Sequence, residues 1–345
     1  TGKNRVDLKL SGRCLPRNTN AMLQLMGDIA LKPDLENKNR ILEIINLQKA
    51  YAAPMASYSG HQMASLAVGR WFCPMRWISH NVSGMEGIRR LLKLSPADLD
   101  KVTSGISSFL GDMCNLERVK VGITGDDKLN TQMLGELKTF TSRLTSGSNG
   151  SPKLVRIPMD ETPEMEAWVL STDVSYVAKA FPAVHTEHPD APTLTVLSAL
   201  MERPMYELIR AQGGAYGAFS QFNSTSGLFV MMTYRDPHTA QSLDAFDKVI
   251  AGMAKGDFNR EKIDHAIINV ISHMDKPPSP REKGLIAYGR MMNGVTLEDR
   301  RRTRESILKT TREDIIRVVE KYLVNPSRTA VAMVTSDKIL SNDET

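Results

Sequence analysis

The sequence predicts an α+β fold of two homologous domains, each an antiparallel sheet with helices packed on one face. Three observations carry that expectation. The chain has 345 residues, 41% hydrophobic and 24% charged, which suits two ordinary domains of roughly 100–200 residues. One pattern of segments runs through it twice in the same order. Within that pattern, strands joined by short turns come first and helices gather after them.

In the first copy, residues 6–13 alternate as a strand, and Cys14-Leu15-Pro16 leads into a helix over about 18–29. In the second, a strand over 228–235 is followed by Asp236-Pro237 and a helix over about 238–254. Proline just before a helix costs no hydrogen bond, because the first turn's N–H groups have no partner inside it. Residues 39–51 carry Ile41, Ile44, Ile45 and Leu47 at helical spacing, answered by Ile263, Ile267, Ile268 and Ile271 in 259–274. Ser95-Pro96-Ala97-Asp98 and Thr311-Arg312-Glu313-Asp314 each open a helix, a hydroxyl three residues before an acid satisfying free backbone donors. Each copy closes on a strand, 119–125 in the first and 330–335 in the second.

The second copy has a front section of its own. Strands over 167–171 and 175–180 precede a helical region over about 191–208, then a glycine-rich turn and a strand over 216–223. The first copy has no counterpart before Val6, so it reads as a domain truncated at its N-terminus. Residues 145–152 are Ser, Gly, Asn and Pro in the main, a turn-rich linker. The expected domains are therefore 1–146 and 147–345.

The net charge of +5 is spread along the chain. Its densest run, Arg300, Arg301, Arg302 and Arg304, is interleaved with Glu298, Asp299 and Glu305 and reads as a solvated helix face, not a nucleic-acid patch. Cys14, Cys73 and Cys114 form no paired framework and read as free thiols of a reducing setting. The nineteen methionines read as core filler, with an adaptable peptide chamber as the alternative. No run approaches the ~20 apolar residues of a membrane span. No targeting segment precedes the first strand-like run; the chain reads as a trimmed fragment, silent on compartment.

The strongest chemical signal is the run Leu208-Ile209-Arg210-Ala211-Gln212-Gly213-Gly214-Ala215-Tyr216-Gly217-Ala218. A helix ends near Arg210, paired glycines supply a tight exit, and Tyr216 opens a strand. A helix cap and a closely packed strand explain the glycines. They do not require a tyrosine between Ala215 and Gly217, or an arginine one turn earlier. A zinc motif of the form His-x-x-Glu-His is absent. His185-Thr186-Glu187-His188 is one residue short and runs into Pro189, whereas two imidazoles reach one ion from a helix at a spacing of four. His265 and His273 stand eight apart, and His61, His80 and His238 read as structural. The glycines lack a following Lys-Ser/Thr, so no phosphate loop is present, and no G-x-S-x-G occurs.

The run resembles the Arg/Tyr motif in the C-terminal half of pitrilysin-type (inverzincin, M16) metallopeptidases, and is similar most of all to their presequence protease and falcilysin branch, subfamily C. The similarity extends to Tyr234-Arg235-Asp236-Pro237, to Ser11-Gly12-Arg13-Cys14-Leu15 and to the order of the repeat. The resemblance implies four homologous α+β domains in two bowl-like halves joined by a hinge. Residues 1–146 would be the third, N-terminally incomplete and family-associated domain, and 147–345 the fourth. It implies a zinc metalloendopeptidase that degrades short unstructured peptides such as cleaved targeting presequences. Zinc would be bound by an N-terminal half absent from this chain, with no metal in these residues and no activity from them alone. Partners would be peptide substrates and that catalytic half, with no nucleic acid; the setting would be the mitochondrial matrix, or else a plastid, another organelle or a bacterial cytoplasm.

Carried over by position, Tyr216 would donate its hydroxyl to the scissile carbonyl or its oxyanion, and Arg210 would hold backbone carbonyls of the peptide. Gly213, Gly214 and Gly217 would form a loop that lets backbone approach the substrate. Two other classes stay open, a non-catalytic structural subunit of the same fold and a free-standing peptide-binding module. Retention of both Arg210 and Tyr216 counts against the first.

Overall fold

The protein is described by a computed structural model over residues 6–144, 157 and 165–343. The expected linker, 145–152, lies outside the described residues. Among those described, the first half is helical: α1 (Thr19–Leu31), α2 (Lys38–Tyr58), α3 (Gly60–Gly69), α4 (Pro74–Val82), α5 (Met85–Lys93), α6 (Leu99–Met113) and α7 (Asp127–Thr141). The caps follow from sequence. Asn37 accepts from the Arg40 amide to start α2, and Asp126 accepts from the Leu129 amide at 2.7 Å to start α7. Before α6, Asp98 accepts from the Ser95 amide at 2.8 Å, completing the expected box.

The two strands expected in this half, over 6–13 and 119–125, do not form. Both stretches lie outside regular secondary structure, and every residue from 6 to 13 is exposed. Alternation shapes a segment's two faces, but a strand exists only where a neighbour supplies the other half of the ladder. Among the described residues, neither stretch joins the sheet.

The second half supplies all five strands of one sheet: β1 (Met165–Val169), β2 (Tyr176–Pro182), β3 (Gly217–Asn223), β4 (Leu228–Tyr234) and β5 (Ala330–Thr335). Its helices are α8 (Ala191–Met205), α9 (Ala240–Lys255), α10 (Arg260–Asp275), α11 (Pro280–Asn293), α12 (Leu297–Leu308), α13 (Arg312–Val319) and α14 (Asp337–Asp343). The strand order is β1-β5-β2-β4-β3. β1 runs parallel to β5 while every other neighbour is antiparallel. The sheet is thus mixed, not antiparallel throughout, because the helical crossover after β4 returns the chain as β5 between β1 and β2.

Both faces of the sheet are covered, a second departure from expectation. Val177, Phe181, Phe229, Met231, Val331 and Met333 pack against α8, α9, α10 and α13. The alternate residues, among them Tyr176, Ala178, Val230, Met232, Ala332 and Val334, pack against Met63, Ala64, Ala67 and Val68 of α3 and against Trp71, Cys73 and Met85. The strands say why. β4 and β5 are unbroken apolar runs, which a half-solvated sheet would not carry. Small side chains at Ala178, Ala180, Ala330 and Ala332 meet small ones at Ala64 and Ala67, so the α3 backbone comes close to the strands. Each larger buried side chain contributes about 1.5–3 kcal/mol. Arg70, which follows α3, forms a forked ion pair with Glu166 of β1, fixing the first half to the sheet's outer strand.

Candidate functional site

Arg210 sits on a seven-residue π-helical segment, Tyr206–Gln212, that continues α8. Pro204 lies just before it inside the helix. Proline cannot give the usual bond to the carbonyl four residues back, and a widened turn is one way the chain absorbs that loss. The exit is a left-handed cap: the Gly214 amide donates to the Arg210 carbonyl and the Ala215 amide to that of Ile209, both at 3.1 Å. Gly214 has φ +79°, a left-handed conformation that glycine adopts without penalty. The Tyr216 amide then donates to the Arg235 carbonyl at 3.1 Å, and β3 begins.

The geometry brings the two predicted donors together. The Arg210 guanidinium carbon lies 5.4 Å from the Tyr216 ring centre and 5.3 Å from that of Tyr206, a cation beside two aromatic rings. Tyr216 is 64% exposed, so its hydroxyl end is open to a ligand. The loop glycines have work inside the turn itself. A β-carbon at Gly213 would stand 2.7 Å from the Ile209 carbonyl oxygen, and one at Gly217 would stand 3.1 Å from the Phe219 ring.

Three aromatic residues and one histidine surround this pair, and sequence reasoning did not assign them to the site. The Tyr216 ring lies 5.8 Å from Tyr234 at 70°, edge to face. Tyr234 lies 4.9 Å from His61 at 82°, and His61 lies 6.1 Å from Phe219. Tyr206 had a local signal, four residues before Arg210 on one helix. His61 had none, since it arrives from α3, far away in the chain. Burial lowers the His61 pKa, and its Nδ1 is buried with no hydrogen bond among the described residues.

Arg235, with φ +50°, turns the chain out of β4 beside the site. Asp236 is buried and accepts from the Ser242 hydroxyl at 2.6 Å and the His238 amide at 3.0 Å. Burial raises its pKa, and hydrogen bonds from Ser242 and His238 offset that in part. Asp236 and Ser175 exchange both backbone hydrogen bonds, at 2.6 and 2.9 Å, so the turn is clamped.

Three other histidines are engaged locally. His185 Nδ1 lies 3.2 Å from the Thr225 carbonyl, His188 Nδ1 accepts from the Asp190 amide at 3.0 Å, and His273 Nδ1 lies 2.9 Å from the Asn269 carbonyl. Among the described residues, no group of three or more His, Cys, Asp or Glu is gathered as a metal-ion ligand set. The arginine run of α12 is tied into acids, Arg302 to Asp299 and Arg304 to Asp275 at 2.6 Å. Cys73 and Cys114 are buried free thiols, and Cys14 is half-buried. No described helix is long and apolar enough to cross a membrane.

Residues 165–337 match the family described as the PreP C-terminal domain, and residues 2–94 match the associated region of peptidase family M16, subfamily C. The mitochondrial presequence protease of Danio rerio is 25% identical over 338 residues, covering 91% of this chain and 33% of the relative. Presequence protease 1 of Arabidopsis thaliana, chloroplastic/mitochondrial, is 26% identical over 337 residues, covering 95% of this chain and 31% of the relative. The chain thus spans about a third of the length of the curated relatives it matches. Among solved structures, pitrilysin superposes with a TM-score of 0.62 at 11% identity, over 92% of this chain and 33% of the other. The peptidase M16 inactive domain of Pseudomonas fluorescens superposes at 0.61 and 14% identity, over 91% and 74%. At those identities the structures speak for the fold alone.

Proposed function

The chain belongs to the presequence-protease family of M16 peptidases, subfamily C, and on that premise we propose that it is the substrate-enclosing, C-terminal part of a zinc metalloendopeptidase that degrades short unstructured peptides, cleaved targeting presequences among them. In this reading 1–146 and 147–345 are two successive domains of the longer enzyme. The names of the relatives favour mitochondria, with plastids as the alternative.

One observation carries the reading. Arg210 is stacked beside an exposed Tyr216 at a helix exit that opens onto β3, the outermost strand of the sheet. Both side chains are exposed there. A phenol and a guanidinium held together offer directed donors to successive carbonyl oxygens of an extended peptide. Tyr216 would donate to the oxygen on which negative charge develops, a contact typically contributing about 2.7–4 kcal/mol to the transition state. Arg210 would fix the peptide backbone and, through its stacking, the tilt of the Tyr216 ring. The described residues offer zinc no ligand set, so in this reading the metal and the activated water belong to the N-terminal half, and no step is routed through them.

The test is Tyr216→Phe in the complete enzyme, with turnover of a short unstructured peptide as readout. The expected result is a loss of about 10²-fold in kcat with an unchanged melting temperature. Unchanged kcat would overturn the donor role.

A further inference from the structure

We infer that His61, a residue of the helical first half, is a positioning residue for Tyr216 and acts through the ring of Tyr234. The inference rests on the reading that Tyr216 donates to the peptide.

Tyr216 alone is poorly held. The residue is 64% exposed, and an exposed tyrosine swings about two side-chain torsions. A hydrogen-bond donor misplaced by about 1 Å can lose 10²-fold in rate, so something must limit that swing. Arg210 stacks on the ring but is itself exposed. The firmer neighbour is Tyr234, at 5.8 Å and 70°, which is half-buried at the end of β4.

Tyr234 is held in its turn by two rings. Tyr176 lies 5.7 Å away, and its hydroxyl donates to the Ser57 carbonyl at the end of α2. His61 lies closer, at 4.9 Å, with its ring nearly perpendicular at 82°. Edge-to-face pairs at such distances attract beyond the area they bury, and they prefer one mutual tilt. His61 also lies 6.1 Å from Phe219, two residues into β3. One imidazole therefore touches both strands that flank Tyr216. It reaches them because α3 begins at Gly60, pressed against the Tyr176 ring.

The histidine is suited to this as a neutral ring. Burial lowers its pKa, and Nδ1 has no hydrogen bond among the described residues. Its aromatic edge and face then meet the two rings without an unpaired buried charge.

The experiment compares His61→Ala, His61→Leu and His61→Phe in the complete enzyme, each alone and combined with Tyr216→Phe. His61→Leu keeps a similar volume and loses the flat ring; His61→Phe keeps a flat ring on a somewhat larger side chain. Alanine and leucine are expected to lower kcat about tenfold with KM within about twofold, and phenylalanine to restore most of the rate. In the Tyr216→Phe background the same changes are expected to cost nothing further, because the hydroxyl they align is gone. Equal losses in both backgrounds, or full kcat in His61→Leu, would overturn the positioning role. If Tyr216→Phe is itself harmless, the donor reading fails; if it is costly while His61→Leu is harmless, only the positioning role fails.

Discussion

Gly60 lies against the ring of Tyr176 with no room between them for a β-carbon. That contact joins the two halves of the chain, since Gly60 opens α3 and Tyr176 opens β2. Gly60→Ala is expected to force them apart and to destabilise the protein by about 1–3 kcal/mol, the usual cost of overpacking. Gly105 is the control: it lies within α6, and a methyl group added there would meet nothing within 4 Å. Gly105→Ala should be neutral or stabilise by up to about 1 kcal/mol. Urea unfolding of the two variants separates the outcomes, and equal midpoints would refute the contact's role.

Arg210→Lys keeps the charge and gives up the planar fork that lies beside Tyr206 and Tyr216. In the complete enzyme this change is expected to raise KM for a short peptide severalfold and to lower kcat, because substrate grip and ring tilt are lost together. Steady-state kinetics with one unstructured peptide checks it, and wild-type constants would remove Arg210 from the site.

His80 is 2% exposed, and burial, followed by the nearby Arg70 charge, holds its pKa at about 4. Its Nδ1 has no hydrogen bond among the described residues, nor has the indole nitrogen of Trp168, whose ring lies 5.6 Å away. An unfolded histidine takes a proton near pH 6.5 while the folded one resists until about 4. Its contribution is therefore complete above pH 6.5 and is lost as pH falls toward 4. Between pH 7 and 5 the loss should be on the order of 1–2 kcal/mol. His80→Phe should flatten that part of the pH–stability curve; an unaltered slope would sink the assignment.

Asp190 behaves differently. It is 4% exposed, and burial by itself would raise its pKa. Hydrogen bonds from Tyr322 at 2.7 Å, Arg317 at 2.7 Å and Lys321 at 3.0 Å outweigh burial and bring it to about 2. Its stabilisation is present above the ordinary carboxylate value of 3.8 and fades only as pH falls toward 2. Asp190→Ala should cost on the order of 2–3 kcal/mol at pH 7, with the deficit shrinking below pH 3. A deficit that persists at pH 2 would mean the residue acts by shape alone.

Much of the helical content was legible because apolar spacing and caps are local. Thr311 and Asp314 form their box at the start of α13, and Ser95 and Asp98 theirs before α6. The strands β4 and β5 were legible from largely apolar runs, and β2 from a run broken only by Lys179. What stayed hidden depended on partners. Residues 6–13 have a strand's pattern but form no strand among the described residues, and the parallel pairing of β1 with β5 joins segments from opposite ends of the second half. The covering of the sheet's second face by α3 was hinted at by the alanines in β2 and β5, whose small size means something only once the opposing helix is known. At the site, Arg210 and Tyr216 were legible within one short run, whereas His61 came from another layer and carried no mark of its position.

The insertion of β5 between β1 and β2 sets a condition on how the protein can be made. A ribosome delivers β1, β2, β3 and β4 long before Ala330–Thr335 emerges. Until then the sheet has a gap in it, flanked by the unpaired backbone of two strands, one of them nearly all apolar. Such long-range closure is slow and leaves edges open to neighbouring chains. Assistance during synthesis, by a chaperone that shields β2, would therefore matter more for this half than for the helices that precede it.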